Sequence, residues 1–335
     1  MRKIRIHIIF LTFLTMFLNG YSQNMFDYEQ EINNKENYNF QELDFQNTEE
    51  NIKLSGTLLT PKTNYDKIVI IVPGSGRDTR YAHFILAEEF LKNGVAVYRF
   101  DERGIGKSEG QFNTSATSLT DDLTFALREL RKLDFTKSHK IGVLGHSLGG
   151  IASIGAYENN QNIDFLIQMG APVEKYGAFF KYQAINNISE FYQIKGKTQE
   201  QVVELLNLIY PIIVSNDDFK TIRVKAKKIA KENGFKKDFY KFISPSHINH
   251  VKQNHEETYK NINIPVLYII GGNDKFVNPK SETEILKSFS NTNIQIKIMD
   301  GLNHWLTEKN ADAGTSLYQM DTSALKGIIK WTLNK

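Results

Sequence analysis

The chain contains no cysteine, so it has no disulfide staple, no thiol for chemistry and no acceptor for a bacterial lipid anchor. It has little excess of either charge. There are 41 Lys and Arg against 38 Asp and Glu, and setting aside Arg2, Lys3 and Arg5 of the first segment makes the two counts equal. Such a balance offers no electrostatic case for nucleic acid as a partner. Internal repeats are missing, and so is an apolar run long enough to cross a bilayer. The run at the N-terminus extends only from Ile8 to Leu18, where a spanning helix needs about 20 residues.

What that first segment does have is a cationic start, the short apolar run, and then Gly20 and Ser22 at the small positions of a cleavage site. This order reads as a secretory signal peptide over residues 1–22, cut near Ser22. The chain is therefore expected to be exported, periplasmic or secreted, with no stable membrane anchor after cleavage. Residues 23–46 are rich in Asn, Glu, Gln and Tyr without a sustained period, and are expected to form a mobile leader.

The rest of the 335 residues can bury one large core. "NIKLSGTLLTP" alternates around Gly56 and reads as a bent strand pair; "KIVIIV" is a continuous apolar run, as in a strand covered on both faces. A helix over "HFILAEEFLKNG" follows, then the strand "VAVYRFD", a helix capped by Thr120 or Asp121, and the strand "KIGVLG". Strand alternating with helix predicts a mostly parallel central sheet with helices on both faces. The rhythm stops between Ala171 and about Asn261, where helical periodicity over 173–261 predicts an inserted cap. It resumes with "PVLYIIGG", "IQIKIMD" and a last helix, so 47–172 and 262–335 are expected to form one core.

Chemistry is signalled first by "KIGVLGHSLGGIAS". Gly145-His146-Ser147-Leu148-Gly149 follows a buried strand and opens a helix, and its glycines let the chain turn sharply enough to hold a serine at the tip. A serine activated in this way needs a base, and the base needs an orienting acid. Of eight histidines, His304 follows the last strand by a short loop, where the chain order serine, acid, histidine requires it. Asp274, at the end of "PVLYIIGGND", meets the demand for the acid; Asp300, four residues before His304, is its rival. The oxyanion that forms on the substrate must meet preorganised N–H donors. The Leu148 amide at the helix start is one candidate. The second falls in "VPGSGRD", at Ser75 or else Gly76.

In this order, "PGSG", "FDERGIGKSEG", "GHSLGG", "GGNDKFVNP" and "GLNHW" resemble the α/β-hydrolase superfamily, most of all its bacterial esterase and serine-aminopeptidase-like branch. The resemblance implies an α/β-hydrolase fold and a triad of Ser147, Asp274 and His304. It also implies a rim loop in which Asp101 pairs with Arg103. Many members have His-Gly where this chain has Pro73-Gly74.

Other readings of the same residues are weaker. "DERGIGKSEG" lacks the glycine spacing of a phosphate loop. His247, His250 and His255 have no fourth ligand beside them and are expected in a solvated cap loop, so neither metal nor cofactor is called for. Tyr176, Phe179 and Phe180 are candidates to line the substrate pocket. The sequence thus predicts an exported serine hydrolase acting on a small-molecule acyl substrate, an ester first. The alternatives are a serine peptidase of aminopeptidase type, a thioesterase, and a non-catalytic ligand-binding protein on the same scaffold.

Overall fold

A computed structural model describes residues 26–159, 161–308 and 318–335; the expected signal peptide lies outside them. The strands are β1 (Tyr38–Glu42), β2 (Phe45–Asn47), β3 (Ile52–Leu54), β4 (Gly56–Pro61), β5 (Lys67–Val72), β6 (Ala96–Phe100), β7 (Lys140–His146), β8 (Phe165–Met169), β9 (Val266–Gly271) and β10 (Ile294–Met299). Eight of them form one sheet in the order β1-β4-β6-β5-β7-β8-β9-β10. From β6 to β10 every pairing is parallel, and β1 and β4 close one edge antiparallel.

The continuous apolar run of β5 is explained by what lies above and below it. Ile68, Ile70 and Val72 point into one core and Val69 and Ile71 into another. The first core is closed by α2 (Ala116–Lys132), α3 (Leu148–Glu158) and α9 (Pro279–Ser288); the second by α1 (Phe84–Lys92) and α10 (Thr322–Leu333). Side chains of a strand alternate between faces, so a strand covered twice has no polar positions to show.

Between β8 and β9 lie α4 (Ala178–Ile185), α5 (Gln199–Ile213), α6 (Phe219–Glu232), α7 (Pro245–Val251) and α8 (Glu256–Asn261). Leu205, Leu206, Ile209, Ile213, Ile222 and Phe242 give this block an apolar core of its own. Helix α5 starts in a capping box, in which Thr198 and Gln201 each satisfy the other's backbone N–H. Tyr259 of α8 packs in the core of the sheet instead, so the last turn of the expected cap belongs to the main body.

Two expectations are corrected. Of the expected leader, residues 26–46 are described and are not apart from the fold, because β1 adds five residues to the sheet edge. Ahead of it, Glu29 accepts hydrogen bonds from the Thr79 amide and hydroxyl at 2.6 and 2.8 Å. An edge strand is held by its backbone ladder, and β1 buries only Tyr38, so no hydrophobic period marks it in sequence. Helix α2 begins at Ala116 rather than at Thr120, with the Ser115 hydroxyl accepting from the Ser118 amide. Among the described residues no helix is long and apolar enough to cross a membrane.

Candidate active site

Ser147 lies between the end of β7 and the start of α3 with φ 54° and ψ −117°, a backbone region that is costly for any residue but glycine. The surroundings hold it there. Its amide donates to the Met169 carbonyl at 2.9 Å. A β-carbon on Gly145 would stand 2.3 Å from the Gly149 carbonyl oxygen, and one on Gly149 would stand 2.3 Å from the Val72 carbonyl oxygen. The two flanking glycines are therefore required by backbone approaching backbone, and the turn delivers the serine to the carboxyl ends of the parallel strands.

His304 arrives at the same edge from the loop after β10. Its Nδ1 lies 2.7 Å from Asp274 Oδ2, both side chains being buried. The other carboxylate oxygen of Asp274 accepts from the Phe276 and Val277 amides at 2.7 and 2.9 Å. A carboxylate only accepts, so the imidazole proton sits on Nδ1 and Nε2 is left as an acceptor. Asp300, the rival acid, is exposed on the turn. Asn303 shapes the loop by accepting from the Trp305 and Thr307 amides at 2.9 and 3.1 Å.

His146 joins the serine and histidine segments. Its Nε2 donates to the His304 carbonyl at 3.1 Å, and the two rings lie 4.7 Å apart. Burial, and then the charges that His304 and His83 would carry, hold His146 well below its ordinary pKa, which suits a neutral ring donating from one nitrogen. Gly170, next after β8 with φ 55°, faces the acid–base pair: a β-carbon there would sit 3.1 Å from His304 Nδ1 and 3.3 Å from Asp274 Oδ2.

A cavity of about 380 Å³ opens over Ser147 between the sheet edge and the inserted helices. Ser75 and Leu148 line it beside Ser147. The turn carrying Ser75 comes close, since a β-carbon on Gly74 would be 3.3 Å from the Ser147 β-carbon. The Leu148 amide opens α3, where a helix has no internal acceptor for its first N–H groups. Behind the turn, Asp78 accepts from the Tyr318 hydroxyl at 2.8 Å and its amide donates to Glu102 at 3.1 Å. Burial, opposed only in part by the Tyr318 bond, pushes Asp78 up to about 7. Burial and then the Asp78 charge push Glu102 up as well.

The inserted helices supply what sequence reasoning missed. From α4, Tyr182 donates to the Asp274 carbonyl at 2.9 Å and Gln183 to the Phe276 carbonyl at 3.1 Å, pinning the acid loop. The Phe276 ring stacks on His304 at 4.8 Å. No local pattern signals the Tyr182 and Gln183 contacts, because they join segments about 90 residues apart.

Other expectations divide. Phe179 and Phe180 line the cavity, whereas Tyr176 is exposed, with the Lys175 ammonium over its ring. His247 and His250 are not in a solvated loop: both are buried in α7 and line the cavity. Burial pushes His247 down to about 3, while Tyr210 hydrogen-bonds its Nε2 at 2.9 Å. His255 points elsewhere, to Glu158 of α3 at 2.8 Å. Asp101 and Arg103 do not pair with each other; Asp101 takes Arg80, and Arg103 takes Asp122 and Glu50.

A parallel sheet crossed by helices on both faces, with a strained serine turn and a buried acid–histidine pair at its carboxyl edge, is the architecture of an α/β-hydrolase. More narrowly, residues 63–310 match the family described as serine aminopeptidase, S33, and the chain belongs to it. No curated protein sequence matches the chain. Among solved structures it is similar to the Pyrococcus furiosus esterase Pf2001, with a TM-score of 0.58 and 20% identity over 89% of this chain and 93% of that one. It is also similar to Est1E of Butyrivibrio proteoclasticus, solved with ferulic acid bound, with a TM-score of 0.54 and 19% identity over 88% and 100% of the two chains. An esterase of Thermogutta terrifontis, solved with malate, gives 0.53 and 16% over 88% and 98%. By fold and by family the chain is thus an α/β-hydrolase.

Proposed function

We propose that the protein is an exported serine hydrolase that cleaves neutral carboxylic esters through an acyl-enzyme on Ser147. The observation that carries this reading is the buried hydrogen bond between Asp274 and His304, tied to the strained turn of Ser147 by the bond from His146 to the His304 carbonyl. In the first step His304 Nε2 takes the hydroxyl proton as Ser147 Oγ attacks the acyl carbon. The oxyanion is held by the Leu148 and Ser75 amides, the α3 dipole assisting. His304 then gives its proton to the departing alcohol. Water, deprotonated by the same nitrogen, attacks the acyl-enzyme, and the acid leaves as Ser147 recovers its proton.

Preference for a neutral ester rests on the cavity wall. It contains no Asp, Glu, Lys or Arg among the described residues, and burial disfavours the charged forms of His247 and His250. An aminopeptidase has to hold the ammonium of a free N-terminus, and desolvating that charge without a partner costs several kcal/mol. Leu148, Ile151, Phe179, Phe180, Phe191 and Phe276 instead offer apolar area to an acyl chain or aryl group. Nitrophenyl acetate and butyrate are expected to give kcat/KM at least ~100-fold above aminoacyl nitroanilides. Faster turnover of the anilides would move the assignment to a peptidase.

Export rests on the first 22 residues. The protein recovered from cells making the full chain is expected to begin near Gln23 by N-terminal sequencing. An intact Met1 on the active protein would overturn that part of the proposal.

A further inference from the structure

A second cavity, of about 470 Å³, lies under the N-terminal segment at the β1–β4–β6 edge and shares no wall residue with the one over Ser147. Two arginines meet there. Arg80 is fully engaged: Nε and Nη2 grip the two oxygens of Asp101 at 3.1 and 2.9 Å, and Nη1 reaches Glu42 at 2.9 Å and the Thr57 hydroxyl at 2.6 Å. Arg99, opposite Thr57 in the β4–β6 ladder, is as deeply buried at 4% exposure. Among the described residues its Nη1 meets the Ala82 carbonyl at 3.3 Å and its Nε has no hydrogen-bond partner.

Among the described residues no carboxylate forms an ion pair with Arg99, while Arg80 and Asp101 form one beside it. Burial pushes Arg99 down to about 10, with the Arg80 charge adding to it and Tyr81, Glu29 and Asp101 opposing it only in part. A guanidinium taken out of water without a counter-ion is an unstable arrangement that an anion in the cavity would correct. Glu31, Lys35, Glu36 and Glu42, which also border the cavity, are exposed, so Arg99 is the one buried charge of its wall without an ion-pair partner among the described residues. The rest of the wall is formed by Ile32 and Leu59, which are buried, by the half-exposed Phe40, and by Thr57 and Tyr81. The volume is within the usual range for small-molecule sites.

We propose that this cavity binds a small organic acid, with its carboxylate on the Arg99 guanidinium and its apolar body along Ile32, Leu59 and Phe40. A planar guanidinium favours a carboxylate over other small polar groups because two parallel N–H donors match its two oxygens. The site is independent of the chemistry at Ser147, and its test needs no turnover. The full chain is titrated with sodium octanoate by calorimetry in phosphate-free buffer, with 1-octanol as the uncharged control. Octanoate is expected to bind at one site, at least ~10-fold more tightly than octanol, and to weaken at least ~10-fold in Arg99→Gln. Ile32→Trp, which fills the cavity and leaves the guanidinium in place, is expected to weaken octanoate equally and decides the matter should Arg99→Gln not fold. Absence of binding to the unaltered chain, or binding unchanged in either folded variant, overturns the proposal; the latter result would put the acid in the cavity over Ser147.

Discussion

Ser147→Ala is expected to lower kcat for nitrophenyl ester hydrolysis by about 10⁵-fold while leaving the melting temperature within a few degrees of the unaltered protein. The size of the loss follows from the mechanism. Without the hydroxyl no acyl-enzyme forms, and the oxyanion donors with the bound substrate alone supply only a small residual acceleration. The small change in stability follows from the turn. The strained backbone at residue 147 is held by the Met169 carbonyl and by glycines packed on backbone, and alanine asks nothing new of it. A fluorophosphonate should label the unaltered chain and fail to label Ser147→Ala. Retention of more than about a hundredth of the activity would place the nucleophile elsewhere, and a chain that binds esters but neither labels nor turns over would be a ligand-binding protein on a hydrolase scaffold.

Asp274→Asn should cost about 10⁴-fold in kcat, whereas Asp300→Asn should stay within a few-fold of the unaltered enzyme. The argument is one of proton placement. Oδ1 of Asp274 accepts from two amides, so an asparagine there keeps its carbonyl oxygen on those amides and turns its NH₂ toward His304. The imidazole must then accept at Nδ1 and carry its proton on Nε2, the nitrogen that is needed as base. Asp300 is exposed on the turn, and its amide would leave the histidine tautomer unchanged. Kinetics of the two variants on one ester settle the assignment; the reverse pattern would make Asp300 the acid.

These residues were legible in the sequence to different degrees. The turn at Ser147 was readable because close backbone approach admits only glycine at its flanks, and that leaves a local string. His304 and Asp274 could be found from chain order, since each follows a strand of a parallel sheet whose ends share one edge. Between Asp274 and Asp300 the sequence favoured Asp274, because strand position outweighed nearness along the chain. The folded chain adds the 2.7 Å contact of Asp274 with His304.

The ion pairs of the "DERG" segment show the opposite case. The resemblance implied a local pair between Asp101 and Arg103, yet each takes a partner brought from elsewhere in the chain, Arg80 and Asp122 respectively. A fixed turn points near neighbours in different directions, and buried charges pair with whatever the packing sets opposite them. The same reason hid the edge strand β1. Its place is set by a backbone ladder to β4, which any side chains can make.

What the sequence by itself determined is whatever a local period or a steric demand records: the buried strands, the helices alternating with them, the glycine-flanked serine and the order of the reactive groups along the chain. Tertiary structure alone decided that Asp274 lies 2.7 Å from His304, that Tyr182 and Gln183 of an inserted helix pin the acid's loop, that His247 and His250 are buried wall rather than solvated loop, and that Arg99 has no ion-pair partner among the described residues. Such facts depend on distances between segments far apart in the chain, and spacing along a sequence carries no measure of those distances until the chain is folded.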